Sequence, residues 1–117
     1  MNIDMQNRTK KISLDIILFC DDLPKENKYF IIGKQLIRAA TSVGANYRVV
    51  KRAKSPADFI NKLTIVEEEA DETLFWLELI MELQGKSEKT TSLYNEMNEI
   101  LSIVVASIKT AKLNQKK

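Results

Sequence analysis

Apolar residues recur along this chain at spacings of three and four, the period of a helix with one buried face, and nowhere alternate as in a half-buried strand. The last segment is clearest: Leu93, Met97, Ile100, Leu101, Val104, Ile108 and Ala111 form one stripe. Ile32, Leu36, Ala39, Ala40, Val43, Tyr47 and Val50 form a second, and Phe59, Leu63, Val66, Ala70, Leu74, Leu77 and Met81 a third. Punctuation between stripes sets the boundaries. Pro24 disfavours helix at Leu23. Ser55-Pro56-Ala57-Asp58 reads as a helix start, with Ser55 as cap, Pro56 in the first turn and an acid at the positive helix end. Gln84-Gly85-Lys86-Ser87 reads as a stop followed by a new cap. These signals predict a single all-α domain over residues 1–117, with helices near 4–22, 27–52, 56–84 and 88–112 and a short basic tail at 113–117. Short connections make successive helices antiparallel, so the expectation is an up-down-up-down four-helix bundle. Gly33 and Gly44 fall inside the second helix, where each costs about 1 kcal/mol relative to Ala, and so suggest close packing or a bend.

The third helix carries more apolar surface than one stripe requires. Eight of the ten residues from Leu74 to Leu83 are apolar, whereas a core-facing stripe uses about three or four positions per two turns. The runs 16–20 and 29–32 show the same excess. A central, deeply buried helix would absorb part of it. The stronger reading is self-association into a ring, with Phe19, Phe30, Phe75, Trp76, Leu79 and Leu83 at the contact between copies. Cys20 lies within one of these runs and reads as a small buried hydrophobe.

Charge adds polarity along the chain. The net value is only +2, but residues 1–57 carry 11 Lys/Arg against 5 Asp/Glu, and residues 58–117 carry 7 against 11. Lys34, Arg38, Arg48 and Arg52 share a face of the second helix, and Glu67, Asp71, Glu78 and Glu82 a face of the third. In a hairpin turning near residues 53–55, Arg38 comes level with Asp71, Glu67 and Glu72, any of which could pair with it. Nearer the turn, Arg48, Lys51, Arg52 and Lys54 face Asp58 as the only acid, with Lys62 one turn further on. That end of the bundle is expected to be basic, and a ring of copies would repeat it around one rim as an anion site.

Other chemistries find little support. The chain has no His, which excludes His-based triads, imidazole acid–base chemistry and His-liganded zinc. The acids from Glu67 to Glu72 point in several directions from one helix, so neither metal nor other cofactor is expected. No phosphate-binding glycine loop and no nucleophile–base spacing occurs, and the chain is not expected to be an enzyme. No apolar run reaches the ~20 residues of a membrane span. The N-terminus lacks a signal-peptide pattern, and one Cys makes no disulfide framework, so the expected location is the cytoplasm.

Three segments, Gly33–Arg48, Ser55–Leu63 and Glu69–Leu77, resemble the 23S rRNA intervening-sequence protein family, also called the four-helix bundle protein family. The resemblance runs from about Ile12 to Leu83, and the fourth helix fits by pattern only. It implies an antiparallel four-helix bundle in a homopentamer. Members are encoded within bacterial 23S rRNA genes or elsewhere in bacterial chromosomes. A related group, the accessory variability proteins of diversity-generating retroelements, forms a similar basic pentamer that binds a reverse transcriptase and nucleic acid. Carried over, this implies Arg38 and Arg48 as nucleic-acid contacts; Lys51, Arg52 and Lys54 join them on charge alone. One departure is Gly44, where a common family pattern has Pro, which leaves the bend of the second helix and the rim geometry open. Gln35, Ser42 and Asn46 form a polar line read as hydrogen-bonded at a helix or subunit contact. Two functions therefore stand as expectations: an oligomeric nucleic-acid-binding protein, and a protein-interaction scaffold with no nucleic-acid role.

Overall fold

The computed structural model describes residues 4–116. Four helices, α1 (Met5–Asp21), α2 (Asn27–Tyr47), α3 (Pro56–Gln84) and α4 (Glu88–Gln115), pack around one core, and no strand occurs among the described residues. The particle is a rod of 52 × 21 × 21 Å.

The starts of α1, α3 and α4 are fixed by short polar side chains that satisfy otherwise orphaned N–H groups, each worth about 1 kcal/mol, whereas α2 begins after Glu26 without a side-chain cap. Asp4 accepts from the Asn7 N–H at 3.1 Å, and Ser55 from the Asp58 N–H at 3.0 Å. Ser87 accepts from the Thr90 N–H while the Thr90 hydroxyl accepts from the Ser87 N–H, a reciprocal box. Helix α3 ends at Gly85, whose φ of +84° and ψ of 159° lie where essentially only glycine is comfortable.

Two helix ends differ from expectation. Helix α2 stops at Tyr47, and a 3₁₀ turn at Val50–Arg52 (η1) carries the chain toward α3. The bonding tightens there: Val49 N–H reaches Asn46, Arg52 N–H reaches Val49, and Ala53 N–H reaches Val50, all three residues back. Val50 is nonetheless buried, so the apolar stripe passes through the change unbroken. Helix α4 continues to Gln115, beyond the expected end at residue 112.

Helix α3 packs between α2 and α4, which explains part of its surplus. Ile60, Thr73 and Ile80 are buried alongside its main stripe. Phe19 is a correction: at 8% exposure it belongs to the monomer core and is not available to a second copy. The buried hydroxyls of Thr9 and Thr73 bond backward to the carbonyls of Met5 and Glu69, so neither is orphaned.

The two glycines of α2 face α1 and the residues just after it. Gly44 lies against Thr9 and Ser13, and Gly33 against Cys20 and Leu23. The Ser13 hydroxyl stitches the two helices by donating to the Ala40 carbonyl at 3.1 Å as well as to Thr9. On the other side, Arg8 clamps α1 to α4 through Glu96 at 2.7 Å and Glu99 at 3.2 Å.

Candidate nucleic-acid interface

The end of the rod formed by the α2–α3 connection collects cations. Arg48 follows the last residue of α2, Lys51 and Arg52 ride on the 3₁₀ turn, and Lys54 precedes the Ser55 cap. All four are exposed. Asp58 is the nearest acid in sequence, and its carboxylate is already engaged. Oδ2 accepts the backbone N–H of Lys54 at 2.9 Å, and both oxygens accept from Lys62 Nζ at 3.0 and 3.1 Å. The backbone bond from Lys54, then Lys62, hold this carboxyl below its ordinary value of 3.8. Among the described residues, Arg48, Lys51, Arg52 and the Lys54 ammonium form no ion pair.

Arg38 lies elsewhere and in different company. It bonds to Gln35 and is bracketed by Glu69 at 3.4 Å and by Glu72. Glu72 is one of the expected partners; Glu69 takes the place of Asp71 and Glu67. The charge of Arg38 is thus largely answered within the chain, and Arg38 is set apart from the group at the turn. Lys34 forms no ion pair among the described residues. In the polar line, Asn46 donates to the Ser42 carbonyl and Gln35 accepts from Arg38.

Sequence reading missed three cations at this end. Phe59, in the first turn of α3, lines one groove with Ala111 and Asn114 of α4, so the last turns of α4 bring Lys112 and Lys116 to the same end. The signal available was the near-equal length of α3 and α4, 29 and 28 residues. Lys10 of α1 shares a groove with Arg48. Its position depends on the register between α1 and α2, which no local pattern encodes.

The expected contact residues between copies divide. Phe30, Phe75 and Leu83 are 58%, 50% and 47% exposed. Trp76 and Leu79 are half-buried, and Trp76 packs on the core. Its indole N–H donates to Glu72 at 3.1 Å, and Phe75 meets it edge-on at 5.0 Å. Phe75, Leu79 and Leu83 step by four along α3 as an apolar row. Leu18 and Ile31, within the apolar runs 16–20 and 29–32, are also exposed, as is Leu14, which lies outside those runs.

No helix among the described residues is long and apolar enough to cross a membrane. No curated protein matches the chain. The crystal structure of a protein with unknown function from the S23 ribosomal protein family, from Bacteroides thetaiotaomicron VPI-5482, is 36% identical over 90% of this chain and 98% of that one, with a TM-score of 0.81. The model of the 23S rRNA-intervening sequence protein family matches residues 1–106, which includes α1, α2, α3 and most of α4. On that match, the chain belongs to the 23S rRNA-intervening sequence protein family.

Proposed function

We propose that this is a non-enzymatic, cytoplasmic, oligomeric protein that binds nucleic-acid phosphates through the basic end of an up-down-up-down bundle. The observation that carries the reading is the state of Asp58: its carboxylate is spent on Lys62 and the Lys54 N–H, leaving four exposed cations with no ion-pair partner among the described residues. Antiparallel packing is supported by contact pairs whose numbers stay constant in sum, as in Thr9–Gly44, Ser13–Ala40 and Cys20–Gly33. Assembly is supported by the exposed Phe75, Leu83 and Phe30, with half-buried Leu79 between the first two. A ring, pentameric by analogy with the family resemblance, would set several basic ends side by side and multiply a modest patch into a strong field.

Phosphate-directed binding is salt-dependent and tolerant of sequence. Reversing both Arg48 and Arg52 to Glu is expected to weaken binding of a single-stranded RNA at low salt by more than tenfold without loss of helicity by circular dichroism. Unchanged affinity refutes the basic end as the interface. Sedimentation that returns only a 13.4 kDa particle refutes the assembly. The exposed apolar row also favours a second reading, a scaffold for a protein partner. That reading predicts no salt-sensitive RNA affinity, and a polypeptide that copurifies with wild type but not with Phe75→Asp.

A further inference from the structure

The geometry points to a phosphodiester-binding subsite in the groove between α1 and α2, seated over Gly44 between Lys10 and Arg48. It rests on the reading of the basic end as a nucleic-acid interface, and extends that interface from the end of the rod onto its flank.

The groove encloses about 300 Å³ and is lined by residues of both helices, among them Gln6, Lys10, Ser13, Thr41, Gly44 and Arg48. That volume is about ten water molecules' share of the liquid, enough for a phosphate group that keeps part of its hydration. No carboxylate lines it. Its two cations come from opposite walls, Lys10 from α1 and Arg48 from just past the end of α2; both are exposed, and neither forms an ion pair among the described residues. The wall hydroxyls are already satisfied: Ser13 donates to Thr9 and Ala40, and Thr41 to Ile37 and Arg38. The remaining strong donors are the Lys10 ammonium, the Arg48 guanidinium and the Gln6 amide, a set that suits an anion with several acceptor oxygens. Gly44 makes the floor possible. A side chain there would meet Thr9 O at 3.3 Å and Ser13 Oγ at 3.4 Å, tighter than ordinary contact, so the bare Cα suits this close approach. Arg48 belongs both to the groove and to the group at the turn, so it joins the two.

Three variants separate this subsite from the interface it rests on: Lys10→Gln in the groove, Arg52→Gln at the end of the rod, and Lys11→Gln as control. Lys11 is next to Lys10 in sequence but is paired with Asp15 at 2.8 Å and does not line the groove. Each variant removes one charge from an exposed helix or turn position, so folding is preserved. The readout is affinity for a single-stranded oligoribonucleotide across a salt series. Lys10→Gln is expected to weaken binding up to about fivefold and to flatten the dependence of log affinity on log salt by about 0.7, one phosphate contact to a single strand. Lys11→Gln leaves both unchanged. If Lys10→Gln behaves like Lys11→Gln while Arg52→Gln weakens binding, the groove is refuted and the basic end stands. If neither Lys10→Gln nor Arg52→Gln changes affinity, both fall together. Inorganic phosphate distinguishes the source. The Gly44 amide resonance is expected to shift with oligoribonucleotide and to resist displacement by phosphate at equal concentration; saturation by inorganic phosphate alone, with release of the RNA, overturns the phosphodiester assignment.

Discussion

Two glycines in α2 look alike in the sequence and are expected to respond oppositely to the same change. Gly33→Ala and Gly44→Ala each replace a glycine inside one helix, so each gains the same propensity term, about 0.5–1 kcal/mol. The packing terms differ. At Gly33 a new methyl meets Leu23 Cδ1 at 3.5 Å and Cys20 Sγ at 3.7 Å, ordinary contact with side chains. At Gly44 it meets the Thr9 carbonyl oxygen at 3.3 Å, which is backbone. That oxygen also accepts from Ser13, whose hydroxyl is tied to Ala40 across the interface. Relief therefore requires α1 to move away from α2 and weaken the Ser13–Ala40 bond. Overpacking of this kind costs about 1–3 kcal/mol. Gly33→Ala is expected to be stabilised by about 1 kcal/mol, and Gly44→Ala to be unchanged or destabilised by up to about 2 kcal/mol. Because the propensity term cancels in the comparison, the gap between the variants measures the packing cost directly. Urea unfolding followed by circular dichroism, at one fixed protomer concentration, reads that gap without a contribution from mass action. A gap below about 0.5 kcal/mol, within the error of such extrapolations, refutes the close approach of α1 and α2 at Gly44. In thermal unfolding the expected separation is at least about 4 °C.

Two further outcomes follow from ionisation. Asp58 has its carboxyl lowered below 3.8 by the Lys54 N–H and Lys62, so it contributes stability above that value and loses it as the pH falls through the folded-state pKa. Asp58→Asn is expected to flatten the stability profile below about pH 4 and, by freeing Lys62, to strengthen RNA binding; unfolding curves between neutral and acid pH, and the same RNA titration, check both. Cys20 is half-buried, and desolvation, with a smaller contribution from the Asp21 charge, pushes its thiol up to about 11. At pH 8 its thiolate fraction is about a hundredfold below that of a thiol at 9.0, so labelling by a disulfide reagent is expected to be slow when folded and fast in urea, and rapid labelling of the native protein contradicts its placement against Gly33.

What could be read from the sequence depended on whether a feature was local. Caps are local: Ser55, Gly85 and Ser87 each act through a neighbour three or four residues away and Pro56 through its own fixed φ, and all four sit at the helix ends their patterns mark. The core stripes are nearly local, which is why Leu36, Val43, Val66, Leu77, Met97 and Ile100 are all fully buried. The end of α2 was not legible, because a 3₁₀ turn still delivers Val50 to the core and no Gly or Pro marks the change. Phe19 was misplaced for a related reason. An apolar run of five residues does not say which member faces inward, and the register of α1 against α2 turns Phe19 in and Leu18 out, at 62% exposure. Lys10 was invisible for the same cause.

The fate of the basic stripe on α2 shows why net charge was a poor guide to the site. A helical hairpin can neutralise a charged face only where the facing helix has independent positions to offer. Arg38 lies far enough from the turn to meet Glu69 and Glu72, residues more than thirty positions away in sequence. Close to the turn the facing positions are the next few residues of the same chain, and here they are used to cap α3. The cap requirement favours Ser55 and Asp58, and Asp58 then binds the Lys54 N–H and Lys62, with nothing left for Arg48, Lys51 or Arg52. The excess of positive charge is therefore a consequence of where the helix must begin. A net value of +2 spread along a rod of 52 Å conceals it, and the level at which each cation meets α3 reveals it.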